Sequence, residues 1–270
     1  MPTAVPLRSG RRAGVLVALA GALTAAFVFA PRLLANRTGA DFRGESDLGQ
    51  AFREAFVDYW HSGTQEFTVE LANIVDYWFR YHLAKAVLAT LLTVVLVMLA
   101  VLLWRAFMAA GGTGLGTRVA LATSGGVATV LALCALVLVL ANAQGTVTPF
   151  ASLLPMATGD DSAEVRAEIG HRLADGTRIP PLDVMIDDFA RYHLAMAVLA
   201  AVTAVSLLGV CALLWRTRVR SPDRRSRRVL ASFGTLSALL ALLLIVVAVA
   251  NTTNASDPVS GLAALFAGGW

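Results

Sequence analysis

Two stretches of this sequence carry the same polar pattern, Asp-x3-Arg-Tyr-His. One holds Asp76, Arg80, Tyr81 and His82, the other Asp187, Arg191, Tyr192 and His193. Residues four apart share a helix face, so Asp76 can pair with Arg80 and Asp187 with Arg191. His82 falls on the face of Ala86 and Ala89, and His193 on that of Ala197 and Ala200. Small residues let helices approach closely, so both histidines are expected between helices rather than toward lipid. As a ligand site, the two histidines could hold a haem, a metal or an anionic group. As structure, they would supply interhelical hydrogen bonds beside ion pairs near a membrane interface, where ionisable groups need no function. The structural reading is favoured, and neither catalytic residues, metal ligands nor a cofactor are assigned.

Other candidates for chemistry are weaker. His61 and His171 could complete a four-histidine set, but no His-Glu-x-x-His or Cys-x-x-Cys spacing accompanies them. The run Gly111–Gly116 lacks the Gly-Lys-Ser/Thr of a phosphate loop and reads as a flexible turn. Cys134 and Cys211 lie inside apolar runs and are expected as small core residues, not as a disulfide.

The elements that position the two motifs follow from composition. The chain has 270 residues, 57% hydrophobic and 15% charged, with mean hydropathy +0.69. Soluble domains carry about 25% charged residues, so an ordinary soluble enzyme is excluded. Apolar runs cover approximately 13–34, 83–104, 119–141, 194–215 and 229–250. Each reaches the length of a transmembrane helix, roughly 20 residues. Between the interfaces these runs hold no Asp, Glu, Arg or His; Arg32 stands at the outer end of the first. Lys85, the sole lysine, lies three residues past His82 and can snorkel outward. The expected fold is all-α, a five-span membrane protein with helical external loops over 37–75 and 143–186.

Charge sets the orientation. Arg8, Arg11 and Arg12 precede the first run, Arg105 and Arg118 flank the second turn, and seven arginines against Asp223 alone fill 216–228. The intervening loops are acidic, with seven acids and three arginines over 37–75, and six and three over 143–186. The positive-inside rule then places the N-terminus in the cytoplasm and the C-terminus outside a bacterial cell membrane. Arginines that cluster beside apolar runs argue against nucleic acid despite a pI near 9.6. The cluster 216–228 could bind anionic lipid, although a topology determinant suffices. The first run resembles a signal peptide, but Pro31 follows its one cleavage-like site, so an uncleaved anchor is expected.

The chain is also internally duplicated. Residues 76–105 align without a gap to 187–216, with sixteen of thirty positions identical. The odd-numbered runs form a weaker set, each beginning at an arginine and ending in Ala-Asn, at Asn36, Asn142 and Asn251. Two spans per unit preserve orientation, giving two parallel repeats plus one extra helix and disfavouring an inverted-repeat transporter. Trp104 and Trp215, with Tyr77, Trp78, Tyr81, Phe189 and Tyr192, read as interfacial anchors at the two ends of the repeated spans. Glycines and hydroxyls at 123–126 and 232–234 suit close helix packing.

In the first external loop, Leu48, Phe52, Phe56 and Tyr59 share a helical face, and Ser62-Gly63 ends that helix. A second helix is expected from near Thr64 into the next span. In the other loop, Asp161 to Glu164 resembles a capping box ahead of a Val165, Ile169, Leu173 stripe. Gly176 ends that helix, Pro180-Pro181 form a break, and Asp183 caps the helix that follows. These covers are too small for a catalytic domain.

The expected function is a non-enzymatic scaffold or accessory subunit of an envelope complex, with the lipid bilayer and a protein partner or second copy as its contacts. The alternatives are a small transporter or channel with the repeated motif at its outer mouth, and a haem or metal membrane protein. Topology is testable directly: cytoplasmic reporters should be active when fused at Gly112 and Pro222, periplasmic ones at Gly63, Gly159 and the C-terminus. A C-terminus active only with cytoplasmic reporters would overturn the five-span arrangement.

Overall fold

The computed structural model describes residues 6–36, 42–158 and 162–267. The fold is all-α: 90% of the described residues are helical, and none of them lies in a strand. In chain order the helices are α1 (Pro6–Ala35), α2 (Glu45–Ser62), α3 (Val69–Ala109), α4 (Leu115–Val147), α5 (Pro149–Leu153), α6 (Ala163–Asp175), α7 (Pro180–Arg220), α8 (Arg224–Ser256) and α9 (Pro258–Phe266). A 3-10 turn over Leu154–Thr158 follows α5. Five helices are long and apolar enough to cross a membrane: Gly10–Ala35 of α1, and α3, α4, α7 and α8. They contain the five apolar runs. At 1.5 Å per residue the 41-residue α3 and α7 are each about 60 Å long, against roughly 30 Å of bilayer hydrocarbon.

Helix boundaries follow local chemistry, with four departures from expectation. Gly63 and Gly176 end α2 and α6 in the left-handed conformation, at φ 66° and 69°, as expected. α3 starts at Val69 rather than near Thr64, because Thr68 Oγ1 accepts from the backbone N–H of Leu71 at 3.3 Å. Pro180 and Pro181 form the first turn of α7 instead of a break, since a proline there forfeits no intrahelical hydrogen bond. Asp183 is consequently inside that turn, held by Arg178, and is not its cap. α6 begins at Ala163 with Ser162 at the N-cap position, and the Ser162 hydroxyl donates to the carbonyl of Ala157. Asp161, the first residue of the expected capping box, lies outside the described residues. α9 was not foreseen. Its first residue is Pro258, and Asp257 caps it by accepting from the Ser260 N–H at 3.3 Å.

The chain divides into two compact units. The first comprises Met1–Pro31, Ala84–Asn142 and Leu208–Ala238. Here Leu92, Leu96, Ala132 and Ala135 pack with Ala20 and Leu23, and Leu99, Ala100 and Ala128 pack with Leu16 and Trp104. The Trp104 indole lies on Gly125, where an added Cβ would sit 3.1 Å from the ring. Its Nε1–H donates to Thr129 Oγ1 at 3.2 Å, and its ring meets Phe233 edge-on at 5.1 Å. Trp215 lies on Gly234 in the same way, at 2.9 Å. The two tryptophans therefore lock helices together as well as ending spans. Lys85 Nζ stands 5.1 Å over the Phe27 ring. Cys134 is exposed and Cys211 half-exposed, so neither is the core residue expected; Cys134 lines an apolar groove of 610 Å³ shared with Val17 and Gly21.

The second unit comprises Arg32–Leu83, Ala143–Leu207 and Leu239–Trp270. Its core is one continuous cluster drawn from both loops, from α9 and from the N-terminal turns of α3 and α7. Phe52, Phe56 and Tyr59 of α2, Ile169 of α6, Phe150 of α5 and Leu262 of α9 are almost fully buried. The apolar stripes expected on α2 and α6 are the buried faces. Tyr77 and Phe189, expected as interfacial anchors, are instead 3% exposed within this core, because covering helices reach them.

One polar link ties the two loops. Glu168 of α6 accepts from Trp60 Nε1 of α2 at 2.8 Å and from Arg172 Nε at 2.8 Å. The Trp60 and Arg172 hydrogen bonds hold the Glu168 carboxyl below its ordinary range. A depressed carboxyl stabilises the fold when ionised and loses that contribution as pH falls through its lowered value. Amide exchange in α2 and α6 should therefore accelerate on acidification below the ordinary carboxylate range. Glu168→Gln, which keeps an acceptor for Trp60, should flatten that step; an unchanged pH profile would remove Glu168 as its cause.

Candidate functional site

The repeated motif lies on α3 and α7, and its two copies are built differently. In the first copy, Arg80 Nη2 and Asp76 Oδ2 are 2.7 Å apart, with side chains 33% and 41% exposed. Such a pair contributes at most about 1 kcal/mol. In the second copy no ion pair joins Asp187 to Arg191 among the described residues, contrary to the expected match. The structural acid there is the next residue, Asp188, whose Oδ2 accepts from the Ala151 N–H of α5 at 2.9 Å. At the duplication offset Asp188 stands where the first copy has Tyr77. The second copy thus keeps Asp187 and adds a carboxylate at 188 that engages a backbone N–H of α5.

Both histidines face neighbouring helices, as the alanine faces predict. Ala89, Ala197 and Ala200 are buried beside them in sequence. His82 Nδ1 is 3.1 Å from the carbonyl of Trp78, and the two rings meet edge-on with centroids 4.4 Å apart. The opposite side of the imidazole meets Gly145 of α4, where a Cβ would stand 2.5 Å from His82 Cδ2. Only a residue without a side chain permits that approach.

His193 is 4% exposed, and its Nδ1 is 2.9 Å from Asn251 Oδ1 of α8. Asn251 Nδ2 donates to the Val247 carbonyl at 2.9 Å, which fixes its Oδ1 as the acceptor. A carbonyl oxygen faces Nδ1 in each copy, the partner that an Nδ1–H would have. Asn142 repeats the back-bond, donating to the Leu138 carbonyl at 2.7 Å. Two of the three recurring Ala-Asn endings, at Asn142 and Asn251, thus mark asparagines that bond one turn back along their own helix.

Residues 144–152 tie the two copies to one another. Gln144, 5% exposed, donates from Nε2 to the Tyr192 carbonyl at 3.0 Å. Its neighbour Gly145 lies against His82, Trp78 Nε1 donates to Ser152 Oγ at 2.9 Å, and Ala151 is held by Asp188. In the second copy Phe189 takes the place of Trp78 and packs on Gly261 of α9, where a Cβ would be 2.7 Å away. Gln144, Gly145, Ser152, Asp188 and Gly261 were not singled out from sequence. Gln144 carried a weak signal, as a polar residue just past Asn142; the glycines carried none.

The other two histidines do not join this site. His61 and His171 are exposed on α2 and α6. Among the described residues no group of three or more His, Cys, Asp or Glu is arranged to hold a metal ion. Around the two histidines the structure shows a close approach of His82 to Gly145 of α4 and a hydrogen bond of His193 to Asn251 of α8.

Gly145→Ala should overpack the His82 contact and destabilise the fold by about 1–3 kcal/mol. In the Gly145→Ala/His82→Ala double variant the two losses should be strongly non-additive, because removing the ring relieves the clash. Additive losses in thermal unfolding would show that Gly145 and His82 do not share a contact. Against known proteins, no family model, no curated sequence and no solved structure matches this chain.

Proposed function

We propose that this chain is a multi-pass protein of a bacterial cell membrane that acts as a non-enzymatic scaffold or accessory subunit of an envelope complex. Its N-terminus is cytoplasmic and its C-terminus external, following the arginine-rich turns. The five apolar helices support membrane integration. The observation that carries the scaffold reading is the second unit's core. Two loops and α9 are spent on a continuous helical body whose apolar residues face inward. A protein that needed only to anchor itself would not require that body.

The repeated Asp-x3-Arg-Tyr-His residues serve this architecture. His82 and His193 are engaged by Gly145 and Asn251, which supports a role in helix spacing over one in haem or metal ligation or at a transport mouth. The outward face of α2 supplies a partner surface of defined chemistry. Asp47, Gln50, Glu54, Asp58 and His61 are all exposed and succeed one another at helical spacing, opposite the buried Phe52 and Phe56. Three carboxylates on one exposed stripe suit a basic patch on another envelope protein.

The full chain isolated from native membranes should carry a partner at fixed stoichiometry. The triple variant D47K/E54K/D58K should keep wild-type thermal unfolding and lose that partner. Retention of the partner by a folded triple variant would remove α2 as the docking face. Solute flux through the chain alone in proteoliposomes, abolished by His82→Ala or His193→Ala, would overturn the scaffold reading in favour of transport.

A further inference from the structure

Four arginines converge where α7 ends and α8 begins. Arg218, Arg224, Arg227 and Arg228 line one cavity of 330 Å³, together with Ala231. No carboxylate pairs with any of them among the described residues. The one acid of this turn, Asp223, is committed elsewhere: it accepts from the Ser226 N–H at 2.9 Å and the Ser226 hydroxyl at 3.0 Å. Arg225 is also committed, donating to the Phe107 carbonyl at 3.1 Å with its guanidinium 4.8 Å over the Phe107 ring. Arg218 is oriented by Trp215, 4.5 Å beneath its guanidinium, and its Nε is buried without a hydrogen-bond partner.

A topology signal requires positive charge beside a span, but it does not require the charges to share a cavity. Four like charges around one space repel, and an anion placed among them relieves that repulsion. Planar guanidinium forks match the oxygens of a phosphate group by bidentate hydrogen bonds. The cavity lies just outside the apolar runs that end at residue 215 and begin at residue 229, the level at which lipid phosphates sit when these helices span a bilayer. We propose that Arg218, Arg224, Arg227 and Arg228 form a binding site for a phosphate group, supplied by an anionic lipid headgroup. The phosphate chemistry rests on the cavity alone; only the lipid source rests on the membrane reading above.

The test uses the full chain in detergent, with phosphatidylglycerol, phosphatidylcholine and inorganic phosphate as probes and retained molecules counted by native mass spectrometry. Phosphatidylglycerol should be retained in preference to phosphatidylcholine. R227Q/R228Q should lower that retention at least about tenfold, given that each bidentate charge-assisted pair is among the stronger hydrogen-bonded contacts. R216Q/R220Q removes equal charge from the same stretch outside the cavity and should leave retention within about twofold if the cavity rather than bulk charge binds. Equal losses in both doubles, or a loss in neither, would overturn the site. Displacement of the lipid by millimolar inorganic phosphate would assign the site to a free phosphate, and resistance to it would assign the site to the headgroup. If R227Q/R228Q does not insert, R227K/R228K keeps the charge while losing the forks; retention equal to wild type in that variant would overturn bidentate recognition.

Discussion

A helix of 41 residues is about twice what bilayer hydrocarbon requires, and α3 and α7 are both that long. Their excess is amphipathic: Asp76, Arg80, Asp187 and Arg191 share it with a set of buried apolar residues. Leu71, Ile74 and Tyr77 on α3, and Leu182, Met185, Ile186 and Phe189 on α7, are apolar residues beyond the ordinary reach of a span. In water each would forgo about 1.5–3 kcal/mol of burial. The remaining elements of the second unit answer that requirement. α2 and α6 lay their apolar stripes inward, α5 and the 3-10 turn fill between them, and α9 brings in Leu262, Leu265 and Phe266.

Within this arrangement, aromatic rings and imidazoles reach neighbouring helices through positions that lack side chains. Trp104 lies on Gly125, Trp215 on Gly234, His82 on Gly145 and Phe189 on Gly261. Large rings on α3 and α7 thus meet glycines on the helices that follow them. Between apolar helices there is little hydrophobic gain from association in lipid, so close van der Waals fit carries more of the specificity. Polar contacts add direction: the Trp104 indole to Thr129, the Trp78 indole to Ser152, and His193 to Asn251.

Much of the fold was legible in the sequence because its strongest signals are compositional or periodic. Five apolar runs marked the five long helices, and the three-to-four-residue spacing of Leu48, Phe52, Phe56 and Tyr59 marked the buried face of α2. Gly63 and Gly176 were readable because a left-handed terminus selects glycine. The failures also have physical reasons. α9 spans only nine residues, too few for periodicity to stand out from the preceding apolar run. Pro180-Pro181 carry a turn signature that is equally a helix-start signature, and only context separates the two. The Asp187–Arg191 pair was inferred from duplication, but duplicated residues keep their partners only while the neighbours do. A carboxylate at 188, in place of the tyrosine at 77, gave α5 another anchor. At Gly145 nothing in the sequence says which ring will arrive.

The Trp-on-Gly contacts bear on how such a chain assembles. Trp104 and Gly125 are separated by one short turn over residues 110–114, and Trp215 and Gly234 by another over 221–223. Each is therefore a contact of low sequence separation, with little loop-closure entropy to overcome. A pair such as α3–α4 can close as soon as its two helices are synthesised, before α7 exists. The core of the second unit is the opposite case. Trp60 meets Glu168 at a sequence separation of 108, and α6 packs against α9 only after the last span is complete. Contact separation alone thus divides assembly into two classes of contact with separate vulnerabilities. The hairpin contacts are complete once two helices exist, while the loop-built body lacks part of its apolar cover until the final helix is made.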